Sequence, residues 1–162
     1  MKKIHHLMLA AALVFSVGAD AFAASSTGNL AISAVVTAQC VVQSAAIPFG
    51  TYSSSAIQQN AQIGVTCSNG TSYTISLDAG TGSGANTTAR KLATTDGSST
   101  LNYALYQDSA RTKTWGNANG TDTLSGVGNG AAQSIPVYGY IPAGQATRAG
   151  TYSDVVAITL SY

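Results

Sequence analysis

Residues 28–37 have the sequence GNLAISAVVT. The apolar residues Leu30, Ile32, Ala34 and Val36 occupy every second position, which is the period of a β-strand with one apolar face. The stretch contains no proline and no charged residue, and it precedes the first cysteine. Such a strand either pairs within its own domain or completes the sheet of a neighbouring molecule. Which of the two happens decides how the fold is completed.

The residues before this stretch have the features of a secretory signal peptide. Lys2 and Lys3 provide a positive start, residues 7–17 are apolar, and residues 21–23 form a small-x-small cleavage site. The apolar run is too short to span a membrane, and no later stretch is long enough. We therefore expect residues 1–23 to be removed and an exported, soluble chain of one-domain length to remain.

The charged residues are few and balanced once the signal peptide is excluded. After residue 23 there is no His, Glu or Met, and the charges are Asp78, Asp96, Asp108, Asp122 and Asp154 against Arg90, Lys91, Arg111, Lys113 and Arg148. A neutral chain has no electrostatic attraction for nucleic acid. General acid–base catalysis usually needs His or paired carboxylates, and these aspartates are scattered. We predict no catalytic residues and no enzyme activity.

Both cysteines, Cys40 and Cys67, lie after the signal peptide. A pair in an exported chain predicts one structural disulfide. The loop entropy of such a link is worth roughly 3 kcal/mol. A metal site or a redox pair would need closer spacing or added His ligands.

Two glycine-rich motifs are candidate ligand sites. Residues 80–84 superficially resemble a phosphate loop but lack its spacing, its following helix and its lysine. Residues 120–124 match half of a calcium-binding nonapeptide repeat, which works only as stacked copies. The sequence therefore predicts neither a cofactor nor a metal site.

Apolar residues alternate through the rest of the chain, and no helical period appears after the signal peptide. Asn69-Gly70 at the centre of residues 68–71 predicts a hairpin turn. Many short strands, Gly-rich turns and one disulfide indicate a β-sandwich. The predicted strands are residues 39–42, 61–67, 72–77, 100–106, 123–127, 134–141 and 151–162.

Seven of the tyrosines lie on or beside predicted strands. Aromatic stripes can bind glycans, but tyrosines on strands more often pack in the core or across strands, with the hydroxyl at the rim. We favour the packing role. The residues are Tyr73, Tyr103, Tyr106, Tyr138, Tyr140, Tyr152 and Tyr162.

An ordered set of short segments resembles the spore coat protein U domain family, which includes subunits of archaic chaperone–usher pili. With the cysteine pair and Tyr162, the set covers nearly the whole chain after residue 23. Within the family, the resemblance is to major subunits of Csu-type pili, which are adhesive, biofilm-promoting fibres. The segments are residues 77–80, 90–92, 101–106, 115–116, 136–145 and 149–154.

The resemblance implies an all-β, incomplete immunoglobulin-like sandwich: six strands plus an N-terminal donor strand, with the seventh strand missing. A periplasmic chaperone would fill the gap first, and the N-terminal segment of the next subunit would replace it. Residues 24–37 would then be the donor segment and residues 38–162 the pilin domain. Leu30, Ile32, Ala34 and Val36 would fill a groove bordered by the final strand, with Val156, Ile158, Leu160 and Tyr162 on one face. Strand 40–42 would border the other side.

The implied partners are a periplasmic chaperone, an outer-membrane usher, other copies of this chain and other pilus subunits, on a fibre at the cell surface. Two further hypotheses remain open. One is a monomeric carbohydrate-binding sandwich that uses the loop from Trp115 to Gly130 and exposed tyrosines. The other is a coat or surface-layer protein that assembles without an usher.

Overall fold

A computed structural model describes residues 23–162. The predicted signal peptide, apart from Ala23, lies outside the described residues. The described part of the chain forms nine β-strands and no helix, so it has no helix that could cross a membrane. The strands are β1 Cys40–Val42, β2 Ile57–Cys67, β3 Ser72–Leu77, β4 Arg90–Thr94, β5 Thr100–Tyr106, β6 Leu124–Val127, β7 Ala132–Ile141, β8 Tyr152–Ser153 and β9 Ile158–Ser161.

The strands form two antiparallel sheets that share one apolar core. The larger sheet has the order β1-β2-β7-β5-β4-β8, and the smaller has the order β6-β3-β9. Alternate residues of each strand face the other sheet, as the two-residue period of a strand requires. The predicted β-sandwich and its incomplete immunoglobulin-like class are confirmed.

The faces predicted for three strands are confirmed. On β2 the buried set is Ile63, Val65 and Cys67, and on β3 it is Tyr73, Ile75 and Leu77. On β5 the residues Leu101, Tyr103 and Leu105 are all at most 5% exposed. Local alternation identified these residues because the alternating apolar side chains of each strand face the other sheet.

The predicted hairpin at residues 68–71 is wrong in its pairing. A turn forms, with the Thr71 amide donating to the Ser68 carbonyl at 3.1 Å. However, β2 pairs with β1 and β7, whereas β3 pairs with β6 and β9. The turn therefore carries the chain from one sheet to the other, because each strand finds its partners far away in sequence.

The predicted single strand over residues 151–162 is also wrong. β8 pairs with β4 at the edge of the larger sheet, and β9 pairs with β3 in the smaller sheet. The chain crosses between the sheets at residues 154–157, although the alternation of side chains continues throughout. An unbroken period-two pattern cannot distinguish one strand from two strands in different sheets.

β4 is a strand that the sequence did not predict. Residues Arg90–Thr94 have the sequence RKLAT, with two adjacent cations where an apolar face would be expected. The strand nevertheless forms a hairpin with β5, in which Arg90 pairs with Tyr103 and Leu92 with Leu101. Arg90 is fully buried, so a charged residue occupies an inward-facing position.

The predicted disulfide is present between Cys40 and Cys67, with a sequence separation of 27. The two cysteines are also directly paired in the register of β1 with β2. The covalent link therefore fixes a strand of only three residues to the longest strand of the larger sheet.

The N-terminal segment forms no strand of its own. The chain divides into two units at Val35 and Val36, and residues 23–39 carry no regular secondary structure. Leu30 and Ile32 are 85% and 86% exposed, and Val36 is 90% exposed. The alternating stretch is thus unpaired in this structure, and its apolar face is uncovered.

Candidate functional site: an apolar groove between the sheets

A cavity of about 360 Å³ lies between the two sheets. Its inner wall consists of core side chains from four strands that are nearly inaccessible to solvent. These are Ile63 of β2, Leu77 of β3, Leu105 of β5 and Val137 of β7. The cavity is therefore a gap in the hydrophobic core itself.

Two chain segments form the rims of this cavity. One is the stretch after β1, which contributes Ala45, Ala46, Ile47 and Phe49. The other is residues 153–158, at the crossing between the sheets. Ile47, Phe49 and the facing Val156 are only half-buried, which is unusual for large apolar side chains that pack against a core. We call the cavity and its two rims the groove.

The backbone beside the groove has unused pairing capacity. Within residues 23–162, β9 is an edge strand that pairs only with β3, and β1 is an edge strand that pairs only with β2. β1 and β9 contact each other, so the two sheet edges approach one another near the disulfide. The free edge of β9 carries unpaired amide and carbonyl groups, which can bind an added strand.

Two aspartates anchor the crossing segment that forms one rim. The Asp78 carboxylate accepts hydrogen bonds from the amides of Gly80 and Ala157, both at 2.9 Å. The Asp154 carboxylate accepts a hydrogen bond from the Tyr103 hydroxyl at 2.7 Å. It also accepts hydrogen bonds from the amide and the hydroxyl of Thr81, at 2.7 and 2.8 Å. The rim is therefore tied to β5 and to the loop after β3.

These contacts change the acidity of both partners. Burial alone would raise the pKa of Asp154, but the hydrogen bonds from Tyr103 and Thr81 stabilise the carboxylate and lower its pKa overall. Burial, and then the bond to the Asp154 carboxylate, raise the pKa of Tyr103. At neutral pH the pair is thus a phenol donating to a carboxylate, which is a stable structural arrangement.

Arg90 and Trp115 fill the core next to the same loop. The Arg90 guanidinium donates to the carbonyl oxygens of Leu77, Asp78, Thr87 and Trp115, at 2.7–3.0 Å. The Trp115 ring nitrogen donates to the Ile75 carbonyl at 3.1 Å. Burial lowers the pKa of Arg90. The role of Arg90 could not be predicted, because its partners are backbone atoms with no sequence signature.

The structure brings some of the predicted groove residues together. Val156 and Ile158 line the groove, and Leu160 is half-buried on the same face of the chain. Tyr162 is 63% exposed at the end of the chain. On the opposite rim, residues 45–49 line the groove in place of strand 40–42, a position marked in the sequence only by the apolar run Ala45-Ala46-Ile47-Pro48-Phe49.

The described residues contain no group of three or more His, Cys, Asp or Glu side chains that could hold a metal ion. In the calcium-like motif, the Asp122 carboxylate accepts a hydrogen bond from the Ala118 amide. Trp115, at the start of the loop named in the carbohydrate hypothesis, is 0% exposed, so its ring is not accessible to a ligand.

A β-sandwich whose core opens into an apolar groove, beside an edge strand that is paired on one side only, is an incomplete immunoglobulin-like domain. The sequence profile of the Spore Coat Protein U domain family matches residues 26–159. The chain therefore belongs to the Spore Coat Protein U domain family.

A curated relative and a solved structure are similar to this chain. Protein U of Myxococcus xanthus is 32% identical over 156 residues, which cover 86% of this chain and 87% of that protein. The solved structure is the CsuC–CsuE chaperone–tip adhesion subunit pre-assembly complex from archaic chaperone-usher Csu pili of Acinetobacter baumannii. It matches with a TM-score of 0.58 at 23% identity, over 78% of this chain but 40% of the matched chain, and so shows the shared fold.

Proposed function

We propose that this protein is a structural subunit of an archaic chaperone–usher pilus and polymerises by donor-strand exchange. Residues 28–37 of one molecule would enter the groove of the next. The observation that carries the proposal is the match between an open apolar groove and an unpaired, alternating apolar segment in the same chain. Leu30, Ile32, Ala34 and Val36 would face the core of the neighbour.

The energetics favour such an insertion. A strand placed beside β9 would satisfy the backbone groups on its free edge. Burying Leu30, Ile32 and Val36 adds about 5 kcal/mol as an upper estimate. Each molecule donates one segment and accepts one, so the contact is head-to-tail and generates an open fibre.

The partners follow from the exposed groove. Before assembly, a periplasmic chaperone would cover it by supplying a strand, since exposed apolar grooves lead to aggregation. An outer-membrane usher would then pass the subunit to the growing fibre at the cell surface. We further propose that the protein is a major shaft subunit of an adhesive, biofilm-promoting fibre, joined to its own copies and to other pilus subunits.

The donor segment can be tested with two neighbouring valines. Val35 and Val36 are both 90% exposed but lie on opposite faces of the alternating pattern. Val36→Asp would place a charge in the neighbour's core and should abolish polymers, as should deletion of residues 24–37. Val35→Asp would face away from that core and should leave polymers intact. The readout is the ladder of SDS-resistant species after co-expression with a chaperone and usher.

The acceptor side offers a matched pair as well. Val156→Asp charges the groove, whereas Val155→Asp alters a side chain that is 70% exposed beside it. Only Val156→Asp should block polymers. A mixture of Val36→Asp and Val156→Asp chains should form dimers that cannot grow, because one chain can only accept and the other can only donate. Long fibres from the Val36→Asp chain alone would refute donor-strand exchange.

A second candidate is a coat or surface-layer protein that assembles without an usher. The similarity to Protein U and the spore-coat description of the family favour it. The usher distinguishes the two functions. Surface polymers that form equally well in cells lacking any usher would support the coat-protein function.

A further inference from the structure

Three tyrosines form a patch on the outer face of the larger sheet. Tyr106 of β5 and Tyr138 of β7 are direct cross-strand partners. Tyr140 lies two residues beyond Tyr138 on the same face, while Val137, Gly139 and Ile141 between and beside them are buried on the inner face. The three rings are half-buried, so part of each ring is accessible.

These tyrosines differ from those that support the fold. Tyr52, Tyr103 and Tyr152 each donate a hydrogen bond within the domain, to the Pro142 carbonyl, the Asp154 carboxylate and the Arg148 carbonyl. The hydroxyls of Tyr106, Tyr138 and Tyr140 have no partner among the described residues and are not buried. Their donors and acceptors are therefore available to a ligand.

A cation lies over this aromatic patch. The Arg111 guanidinium carbon is 5.9 Å from the centre of the Tyr138 ring. Arg111 has a φ of 57°, a left-handed conformation that non-glycine residues seldom adopt. That conformation is often found where a side chain must be held at a particular site.

Among the described residues, the hydrogen bonds of the Arg111 side chain go to neutral groups. Its guanidinium donates to the carbonyl oxygens of Gly139 and Ser109, which are both neutral. The acidic residue of the same loop is Asp108, whose carboxylate accepts hydrogen bonds from Thr112 and from the Lys113 amide. The positive charge of Arg111 therefore has no anionic partner among the described residues and can pair with an external anion.

Amide side chains extend the patch across the sheet. Gln58 and Asn60 of β2 are exposed and pair with Tyr140 and Tyr138 in the strand register, so they lie on the same face. Flat aromatic rings next to amide donors and acceptors suit a ligand with apolar C–H faces and many hydroxyl groups.

We propose that this face, made of Tyr106, Tyr138, Tyr140, Arg111, Gln58 and Asn60, binds an acidic polysaccharide. The sugar rings would stack on the tyrosines, hydroxyl groups would bind the amides and phenols, and a uronate carboxylate would pair with Arg111. The charge complementarity selects an acidic polymer over a neutral one. The surface lies on the opposite side of the larger sheet from the groove.

The probe for this proposal is alginate, a polymer of uronic acids, with neutral dextran as the comparison. Purified full chain should bind immobilised alginate and not dextran, and binding should weaken as salt is added. The double variant Tyr138→Ser/Tyr140→Ser should lose binding. Arg111→Asn should lower the affinity for alginate by about tenfold, and asparagine tolerates the left-handed backbone at this position.

The matched control is Arg148→Asn, which removes an exposed arginine whose guanidinium donates to the Ser98 hydroxyl. It should leave alginate binding unchanged, and all variants should still unfold in a cooperative thermal transition, which shows that they are folded. Equal binding to dextran, retention of binding in the double tyrosine variant, or no binding to alginate would overturn the proposal. The proposal would also be overturned if the parent chain did not bind alginate and the double tyrosine variant lost self-association. The face would then be a contact with a second copy of this chain.

This proposal is independent of donor-strand exchange. Val36→Asp should prevent polymers but leave alginate binding per chain unaltered. Arg111→Asn should weaken alginate binding but leave polymers intact. The failure of either proposal can therefore be recognised without reference to the other.

Discussion

Arg90 shows how one side chain can organise a loop without a charged partner. It is 0% exposed, and its guanidinium bonds to four backbone carbonyls from three parts of the chain. A buried arginine is stable only where its donors are all matched, since an unmatched buried charge is costly. The planar guanidinium meets this need because it presents five donors in fixed directions.

Replacing Arg90 should therefore destabilise the domain strongly. Arg90→Met leaves four carbonyl groups without their donors and should lower the free energy of unfolding by about 3 kcal/mol or more. Arg90→Lys should recover only part of this loss, because an ammonium group cannot reach all four acceptors. Urea unfolding measures the effect. The exposed Arg148→Met is the control, expected to change stability by about 0.5 kcal/mol or less.

Asp154 should make the domain sensitive to acid. Its pKa in the folded protein is lowered, so it lies below the value of about 3.9 expected in the unfolded chain. The ionised group therefore stabilises the folded state above that pH, and the contribution is lost as the pH falls through the folded pKa. Asp154→Asn should lower stability at pH 7 and flatten the decline below about pH 4.

Comparing Asp154→Asn with the parent chain isolates the contribution of Asp154 to the pH dependence of stability. Asp96 and Asp108 also have lowered pKa values, from hydrogen bonds to Thr94 and Ser98 and to Lys113 and Thr112 respectively, and remain in both proteins. Unfolding curves at several pH values between 2 and 7 give, for the parent chain and for Asp154→Asn, the slope of the free energy of unfolding against pH. Equal slopes in the two proteins would contradict a role for Asp154.

At the scale of elements, the important feature is the crossing between β8 and β9. Because of this crossing, residues 151–162 supply an edge strand to each of the two sheets, and Val156 lies at the groove rim. Gly80 permits this arrangement, because its φ of 79° is left-handed and a Cβ there would meet the Asp154 carboxylate. The anchoring loop and the crossing segment are therefore packed too closely for a side chain at residue 80.

Gly80→Ala should consequently cost more than backbone strain alone. Gly144 is a matched control, since its φ of 77° is nearly the same and nothing lies within 4 Å of a Cβ there. Gly144→Ala should cost about 1 kcal/mol from its left-handed backbone. Gly80→Ala should cost roughly 2–3 kcal/mol, because the Asp154 carboxylate must also move. Equal losses in urea unfolding would show that the contact with Asp154 is unimportant.

The sequence predicts where strands lie better than it predicts which strands pair with each other. The alternation in β2, β3 and β5 identified their inward residues correctly, because the alternating apolar side chains of each strand face the other sheet. The alternation does not predict β4, because its inward Arg90 is charged, and the turn signal at residues 68–71 predicts a hairpin that does not form. A turn signal is local, whereas the partner of a strand depends on residues far away in sequence.

At the scale of the whole molecule, the proposed function implies that the isolated domain is incomplete. A chain in which residues 24–37 are moved to follow Tyr162 through a flexible linker should fill its own groove. It should be a monomer and should be more stable than a chain lacking those residues, by up to about 5 kcal/mol. Size-exclusion chromatography and urea unfolding measure both properties.

The control for this rearranged chain carries Val36→Asp within the moved segment. It should lose most of the added stability, since a charge would then enter an apolar groove. If both rearranged chains were equally stable, insertion of the segment into the groove would be contradicted.

The sequence by itself determined the all-β class, the alternation of the strands, the disulfide and the apolar face of residues 28–37. These are local properties, and side-chain period, residue chemistry and chain position are sufficient to express them. Only the tertiary structure decided that residues 68–71 join two sheets, that residues 151–162 divide between them, and that Arg90 is buried. It also placed one rim of the groove at residues 45–49. Each of these depends on contacts between residues distant in sequence, and a local pattern carries no information about which distant partner a strand will find.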